Sequence, residues 1–396
     1  MCLSGREAER ENEGFCMGIT DESRLLITCG GTGGHFYPGL ALARRLMERG
    51  GQVLLLLSGV NSESQRSIAE SFGVPVKVLP LMPSPGRSPV KWIRFLHGLI
   101  AGNIQAQKDI QHFEPQAVLG MGSFASLPVI WAAHRKHIPI YLHDGNARIG
   151  RANRFLSRYA RFLGTAFPPV NRNAVQCPTE VVGMPLRPEL LGISNLSKEE
   201  AIRLLNERYG SGLEPGRSTL LVFGGSQGAQ KINEFLPVAL RTFPPDCRMQ
   251  VIHLTGVNKF EAVQEAYRHV AFPALLLPGC DRMELPYSAG DLVIARSGGS
   301  TLAELALFGK PSVLIPYPYA AEGHQLDNAC VFSSAGAAIL LEQANCSPER
   351  IAELISDCFE RPEEWMVRGA RALSLAKPDA SDTIIERIFD CAGVCG

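Results

Sequence analysis

Three short apolar runs in this chain of 396 residues each lead directly into a glycine-rich turn. The runs end at Cys29, Phe223 and Ala295, and the third turn opens an amphipathic segment that ends at Gly309. A buried strand, a glycine turn and a helix together aim backbone N–H groups at an anion, and the helix N-terminus adds about half a positive charge. Three such turns spread along one chain predict two lobes that face one phosphate-containing ligand.

The third turn is followed by Glu304, a carboxylate with two interpretations. It follows Thr301 by three residues, so the pair fits a capping box at the start of a helix. Because the helix begins at a phosphate-type turn, the same carboxylate is also placed to accept a hydrogen bond from a sugar hydroxyl. The sequence leaves both interpretations open.

Predicted strands and helices alternate along most of the chain, which favours an α/β fold with doubly wound parallel sheets. The alternation stops at the run Gly183-Met184-Pro185-Leu186-Arg187-Pro188 and then resumes. We therefore predict an N-terminal domain over 24–188 and a C-terminal domain over 189–362. The first helix is predicted from Pro38 to Arg49, and one long helix is predicted over 363–390 within a final segment, 363–396.

Composition excludes several classes of protein. Lysine plus arginine and aspartate plus glutamate both total 39, and a net charge of zero argues against a general nucleic-acid binder. The eleven cysteines are scattered without a C-x-x-C pair, so neither a zinc site nor a disulfide framework is predicted, and a reducing cytoplasm is expected. No apolar run approaches the roughly 18 residues of a membrane span. The polar, acidic residues 1–23 do not resemble a secretory signal and are expected to form a disordered extension.

The helix predicted from Val90 to Gln107 combines apolar and basic residues and follows a proline-rich loop. One interpretation is a helix that packs on the core and has a solvated edge. The other is a patch that binds an anionic membrane surface. The residues that would form such a patch are Arg87, Lys91, Trp92, Arg94 and Phe95.

Six motifs resemble, in their order and spacing, those of the MurG N-acetylglucosaminyltransferases of glycosyltransferase family 28. They are Gly30 to Leu40, Gly120 to Pro128, Gly183 to Arg187, Gly224 to Ala229, Arg296 to Glu304 and His324 to Ala329. The resemblance covers residues 24–390. It implies a GT-B fold, in which two Rossmann-like, doubly wound parallel-sheet domains face a central cleft and the last helix returns to the first domain. One departure is His143-Asp144-Gly145-Asn146, where the family usually has His-Glu-Gln-Asn.

The resemblance also implies a reaction and a set of donor-binding residues. The family transfers N-acetylglucosamine, with inversion, from UDP-N-acetylglucosamine to the C4 hydroxyl of a muramoyl-pentapeptide on a pyrophosphoryl-polyprenol, converting lipid I to lipid II. No cofactor is implied, and the chain has no Asp-x-Asp motif, so no obligatory metal is predicted. The residues that the resemblance assigns to the donor are Thr32, Gly33, Gly34, Asn146, Arg187, Ser226, Cys280, Gly299, Ser300, Thr301, Leu302, Ala303, Glu304 and Gln325.

Such a transfer needs a base for the acceptor hydroxyl, and His35 is the first candidate because it follows the first glycine turn and has an ordinary pKa of about 6.5. Two alternatives stay open: His35 only positions the loop, or Asp144 is the base instead. His324 is expected to be a ligand-binding or structural residue rather than a base. Since the acceptor stays in the membrane, the enzyme is expected to bind the cytoplasmic face of the cell membrane as a peripheral protein, through the helix near residue 92.

Three other functions fit the sequence less well. A UDP-N-acetylglucosamine 2-epimerase would explain the nucleotide turns but not the basic amphipathic helix. A binding protein without catalysis would not call for paired phosphate turns beside His35. An NAD-dependent dehydrogenase would need the G-x-G-x-x-G spacing and an acidic residue after the second strand, and the chain has neither.

Overall fold

A computed structural model describes residues 19–31, 33–81, 88–193, 196–225 and 228–392. Thr32, Ser226, Arg87 and most of the predicted extension 1–23 lie outside these residues. The fold has two parallel sheets, as predicted, one of seven strands and one of six. We call the part built on the first sheet the N-terminal lobe and the part built on the second sheet the C-terminal lobe.

In the N-terminal lobe the strands are ordered β3-β2-β1-β4-β5-β6-β7, and every pairing is parallel. Chain order reverses between β1 and β4, so the loops after these two strands open a crevice at the carboxyl edge of the sheet. The first glycine turn and the loop after Gly120 are these loops. The elements are β1 (Arg24–Gly30), α1 (Gly33–Glu48), β2 (Gln52–Ser58), α2 (Ser62–Ser71), β3 (Val76–Val78), α3 (Pro89–Phe113), β4 (Ala117–Gly120), α4 (Leu127–Arg135), β5 (Ile140–Asp144), α5 (Arg151–Leu156), β6 (Phe162–Thr165) and β7 (Thr179–Val181).

The C-terminal lobe repeats this arrangement with the order β10-β9-β8-β11-β12-β13. The switch lies between β8 and β11, and these strands lead into the other two glycine turns, after Phe223 and after Ala295. The elements are α6 (Pro188–Gly192), α7 (Lys198–Tyr209), β8 (Ser218–Phe223), α8 (Gln230–Leu240), β9 (Met249–Leu254), α9 (Phe260–Tyr267), β10 (Ala274–Leu277), α10 (Glu284–Ala289), β11 (Leu292–Ala295), α11 (Gly299–Leu307), β12 (Ser312–Leu314), α12 (His324–Ser334), β13 (Ala338–Leu340), α13 (Pro348–Glu360), α14 (Pro362–Ser374) and α15 (Ala380–Ala392).

The single helix predicted over 363–390 is wrong, because the structure has two helices there. α14 ends at Ser374, four residues before Pro378, which has no N–H to donate and disfavours helix at the residue before it. α14 packs on the C-terminal lobe, whereas α15 packs on α1 of the N-terminal lobe. Asp382 on α15 accepts from Arg45 and Arg49 on α1 at 2.9 and 2.8 Å. The domain limits at 188 and 362 remain predictions.

The start predicted for the first helix is also wrong, since α1 begins at Gly33 rather than at Pro38. Pro38 lies inside the helix, where its missing N–H leaves the carbonyl of Gly34 without its helical partner. The helix therefore begins within the glycine turn itself. His35 consequently lies in the first turn of α1, at the carboxyl edge of the sheet.

Candidate active site

A cavity of about 450 Å³ lies between the lobes at the carboxyl edges of the two sheets. Its walls come from the α1 N-terminus, the loops after β4 and β5, α5, and the segment before α12. Three residues predicted from the sequence, His35, Asp144 and Asn146, meet there together with His324. The other lining residues are Gly122, Ser123, Phe124, Arg148, Gly150, Arg151, Ala152, Asn153, Ala321 and Glu322.

His35 packs directly against Gly122, the second residue after β4. Gly122 has φ of +90°, and a Cβ built on it would lie 3.0 Å from Cε1 of His35, so glycine is required for both conformation and space. Burial lowers the pKa of His35, while the nearby Asp144 carboxylate and a hydrogen bond to the Met121 backbone raise it in part. Because burial is the largest of these contributions, the pKa of His35 lies below its ordinary value, which favours the neutral imidazole at neutral pH.

Asp144, the last residue of β5, is only 4% exposed and accepts three hydrogen bonds from its own lobe. The donors are the backbone N–H groups of Asn146 at 3.1 Å and Gly150 at 2.8 Å, and the side-chain amide of Asn153 at 3.0 Å. The carboxylate thus shapes the loop from Gly145 to Gly150. This arrangement favours His35 over Asp144 as the base.

Asn328, which the sequence marked only as a member of the last motif, connects the two lobes. Its side chain is fully buried, accepts from the Ala147 backbone at 2.8 Å, and donates to Ser297 O at 3.0 Å and to Asn146 Oδ1 at 3.1 Å. Asn146 is therefore oriented by the C-terminal lobe. No local signal in the sequence connects positions 182 residues apart, and only the fold brings them into contact.

Gly145, where the sequence departs from the family pattern, lies at the same junction. Its carbonyl oxygen lies 1.8 Å from where a Cβ on Gly299 would be, so the first residue of α11 must be glycine for the lobes to meet. A Cβ on Gly145 would lie 2.6 Å from the methyl group of Met184. The buried Met184 side chain thus occupies the space beside position 145.

Glu304 lies in the C-terminal lobe and accepts a hydrogen bond from the buried Tyr287 hydroxyl at 2.8 Å. Arg187 approaches the same carboxylate at 3.9 Å, and its guanidinium lies 5.8 Å from the ring centre of Tyr37 on α1. Burial raises the pKa of Glu304, and Arg187 and Tyr287 oppose the rise. Tyr287 was not identified from the sequence, because an isolated tyrosine in a helix carries no motif.

The capping-box interpretation of Thr301 and Glu304 is wrong. The N-cap of α11 is Gly298, which makes no side-chain capping bond, and the Glu304 carboxylate is directed at Tyr287 and Arg187. At the start of α11, Ser300 Oγ is buried without a hydrogen-bond partner among the described residues. Its hydrogen-bonding capacity at the helix N-terminus is therefore unused among the described residues.

Two other predicted residues of α11 face away from the cleft or lie at its edge. Leu302 is fully buried in the core of the C-terminal lobe, and its N–H donates to Gly298 O at 3.0 Å, so neither its side chain nor its N–H is free for a ligand. Ala303 packs partly buried against the same core. The prediction for Leu302 therefore fails, because the helical period turns this position inward.

The remaining predicted donor residues are distributed around the cleft. Gly33 and Gly34 form the first turn of α1. Cys280 lies 3.8 Å from the Tyr209 hydroxyl, and burial raises the pKa of its thiol. Gln325 accepts from the Tyr317 backbone at 2.9 Å, and its carbonyl accepts from Ser297 Oγ at 2.7 Å.

Helix α3 displays an apolar face to solvent. Trp92, Ile93 and Ile100 are 49%, 67% and 59% exposed, and Lys91 and Arg94 are exposed beside them. Phe95 is only 8% exposed, so its predicted place on a membrane-binding surface is wrong, because it lies on the face of α3 directed at the protein. Among the described residues no helix is long and apolar enough to cross a membrane, and no group of three or more metal-ligating side chains occurs.

Comparisons with known proteins identify the two lobes separately. Residues 25–164 match the glycosyltransferase family 28 N-terminal domain, and residues 219–384 match the glycosyltransferase family 28 C-terminal domain. A curated protein of Halothermothrix orenii, named UDP-N-acetylglucosamine–N-acetylmuramyl-(pentapeptide) pyrophosphoryl-undecaprenol N-acetylglucosamine transferase, is 34% identical over 93% of this chain and 99% of its own length.

Solved structures give the same result at the level of the fold. The crystal structure of Acinetobacter baumannii MurG superposes with a TM-score of 0.73 at 26% identity, covering 93% of this chain and 99% of that one. The UDP-GlcNAc 2-epimerase of Neisseria meningitidis, bound to UDP-GlcNAc, superposes with a TM-score of 0.66 at 12% identity, covering 93% of this chain and all of that one. At that identity the second likeness is one of fold alone.

Proposed function

The chain belongs to glycosyltransferase family 28, and from that membership we propose that it transfers N-acetylglucosamine from UDP-N-acetylglucosamine to lipid-linked N-acetylmuramoyl-pentapeptide. The observation that carries the proposal is the 34% identity to a curated transferase of this name over 99% of that protein's length. The acceptor is the C4 hydroxyl of the muramoyl sugar, and the product is the disaccharide that lipid-linked peptidoglycan synthesis requires.

The residues around the 450 Å³ cavity supply the proton transfer in this proposal. A neutral imidazole has one unprotonated ring nitrogen, and on His35 that nitrogen takes the proton of the acceptor hydroxyl. As that oxygen attacks the anomeric carbon, the bond to the diphosphate breaks and UDP leaves. Asp144, held by three donors, stabilises the imidazolium that forms and keeps the loop in place.

The C-terminal lobe binds the leaving nucleotide. The N-terminus of α11 and the Ser300 hydroxyl, which has no hydrogen-bond partner among the described residues, bind the diphosphate, where negative charge develops. Glu304 accepts hydrogen bonds from the ribose hydroxyls at the carboxylate positions that Tyr287 does not use. Arg187 lies beside this carboxylate and adds a positive charge. Asn146, oriented by Asn328, reaches the sugar from the other lobe.

Helix α3 brings the enzyme to its membrane-bound acceptor. Its exposed apolar residues, with Lys91 and Arg94 beside them, form the kind of face that lies at the boundary of headgroups and acyl chains. Phe124 is exposed and lines the cavity together with His35. The proposal is thus a peripheral enzyme on the cytoplasmic face of the membrane that needs neither a cofactor nor a metal ion.

The epimerase alternative is not favoured. Both family models and the curated relatives indicate a transferase, whereas the likeness to the epimerase is limited to the fold at 12% identity. An epimerase would also have no use for the apolar face of α3, because its substrate is a soluble sugar nucleotide.

The test is transfer of radiolabelled N-acetylglucosamine from its UDP donor to a lipid-linked muramoyl-pentapeptide, with EDTA present. Wild type is expected to transfer the label, and His35→Ala to lose about 10²- to 10⁴-fold in kcat, the usual contribution of a general base. His269→Ala, an exposed histidine of the C-terminal lobe, is the matched control and should retain full activity. Absence of transfer by wild type, with conversion of the free sugar nucleotide instead, would identify an epimerase.

A further inference from the structure

Arginines of the N-terminal lobe pair with carboxylates of the C-terminal lobe beside the cavity, and Arg148, Arg151 and Glu322 of this group line it. Glu322 accepts from Arg154 through both carboxylate oxygens, at 2.8 and 3.0 Å, and Arg151 approaches it at 3.2 Å. A neighbouring pair joins Arg148 to Asp327 at 2.5 Å. None of these charged residues has a part in the transfer described above.

Glu322 is placed by an unusual backbone. Its φ and ψ are 52° and 22°, in the left-handed region that residues with a Cβ seldom adopt, and Gly323 follows at φ of +70°. Such conformations persist where the surrounding structure requires them, and they cluster at binding sites and switch segments. The short turn Ala321–Gly323 thus holds a carboxylate against two guanidinium groups of the other lobe.

The cavity runs from a buried floor to an exposed rim. Asn153 is 1% exposed at the floor near Asp144, whereas the side chain of Arg151 at the rim is 70% exposed. C4 and C1 lie at opposite ends of a pyranose ring. When the C4 hydroxyl of the acceptor points at His35, the pyrophosphate on its C1 therefore points away from the floor and towards the rim.

We propose that Arg151 and Arg154 bind the pyrophosphate of the acceptor, and that Glu322 occupies both guanidinium groups until the acceptor replaces it. The inference rests on the proposed function, since it concerns the acceptor of that reaction. Guanidinium groups bind phosphate oxygens as well as carboxylates, and in this structure Nη2 of Arg154 donates to both oxygens of Glu322. The carboxylate is thus an internal competitor, and its exchange for pyrophosphate couples acceptor binding to separation of the two lobes at this rim.

The test uses two variants that break the same ion pair and are expected to act in opposite directions. Arg151→Ala/Arg154→Ala removes anion ligands, so KM for a water-soluble, short-chain pyrophosphoryl acceptor should rise about tenfold, as for loss of a charge-assisted hydrogen bond. Glu322→Gln removes the competitor, so KM for the same acceptor should fall. KM for UDP-N-acetylglucosamine should stay unchanged in both variants, which also reports that they are folded.

Arg66→Ala is the matched control, because it removes an exposed ion pair with Glu70 on α2, a helix that does not line the cavity. If Glu322→Gln and the double arginine variant both raise the acceptor KM, the ion pair only holds the lobes together and the inference is wrong. Binding to anionic vesicles without acceptor should be unaffected by the arginine changes. A loss confined to vesicle binding would assign these arginines to membrane lipid and overturn the inference. Failure of wild type to transfer at all would instead refute the proposed function.

Discussion

The carboxyl end of β5 contributes a buried carboxylate, Asp144, and helix α11 contributes a partly buried one, Glu304, and their hydrogen bonds differ. Asp144 accepts three hydrogen bonds from its own loop, at 2.8 to 3.1 Å. Glu304 accepts one, from Tyr287 at 2.8 Å, and the nearest cation is 3.9 Å away. A carboxylate whose acceptor positions are filled by protein organises its surroundings, whereas one with free positions can bind a ligand.

The largest expected effect is a loss of stability when Asp144, the carboxylate with three protein donors, is replaced. Asp144→Ala leaves two backbone N–H groups and the Asn153 amide without partners in a buried loop. Hydrogen bonds to a charged group contribute about 1.5–3 kcal/mol each and are not additive, so we expect unfolding free energy to fall by about 3 kcal/mol. Urea denaturation measures it, with Asp246→Ala as the exposed control. A stable variant with normal melting but no turnover would assign Asp144 a direct role in the reaction.

The second effect concerns Glu304, the carboxylate with free hydrogen-bond acceptor positions. Glu304→Ala should raise KM for UDP-N-acetylglucosamine about tenfold, roughly 1.4 kcal/mol, because the ribose hydroxyls lose a charged acceptor. Its cost in stability should stay below that of Asp144→Ala, since it removes one hydrogen bond, from Tyr287, and a long ion pair with Arg187 at 3.9 Å. Donor titration by calorimetry measures the affinity. An unchanged donor KM alongside a lower melting temperature would make Glu304 a structural carboxylate like Asp144.

The smallest expected effect is on the pH dependence of the reaction, which is set by His35 and its neighbour Asp144. A neutral imidazole is the base, so kcat/KM for the acceptor should rise with pH through the pKa of His35 and level off above it. Burial lowers that pKa below its ordinary 6.5, so the rising limb should lie at lower pH than for a solvent-exposed histidine. Asp144 raises the same pKa, and Asp144→Asn should therefore move the rising limb to lower pH. A pH profile unchanged by that substitution would show that the limb belongs to another group.

Much of the architecture follows from local patterns. Apolar runs of four to seven residues, separated by helical segments, specify buried parallel strands, and the two predicted parallel sheets are confirmed. The predictions were wrong at places where two local sequence rules pointed to different structures. Pro38 signalled a helix start but lies inside α1, and the pattern over 363–390 hid a break ahead of Pro378. Phe95 was assigned to a membrane-binding surface and Leu302 to the donor site, although the helical period turns both towards the protein.

The residues of the candidate site also fall into two groups, those that the sequence reveals and those that only the fold reveals. The glycine turns and His35 are visible in the sequence because each motif is contiguous, and a strand followed by a glycine turn has few alternative structures. Asn328, Tyr287 and Glu322 carry no such signal, since their partners Asn146, Glu304 and Arg154 lie on other elements or on the other lobe.

The amino-acid sequence alone was sufficient for the α/β class, the two sheets and the position of the phosphate turns, because these depend on hydrophobic period and on backbone freedom within a few residues. Only the tertiary structure decided which carboxylate is filled and which has free acceptor positions, and which arginine meets which glutamate. Those outcomes depend on distances between segments that are far apart in the chain, and such distances exist only after the two lobes have packed against each other.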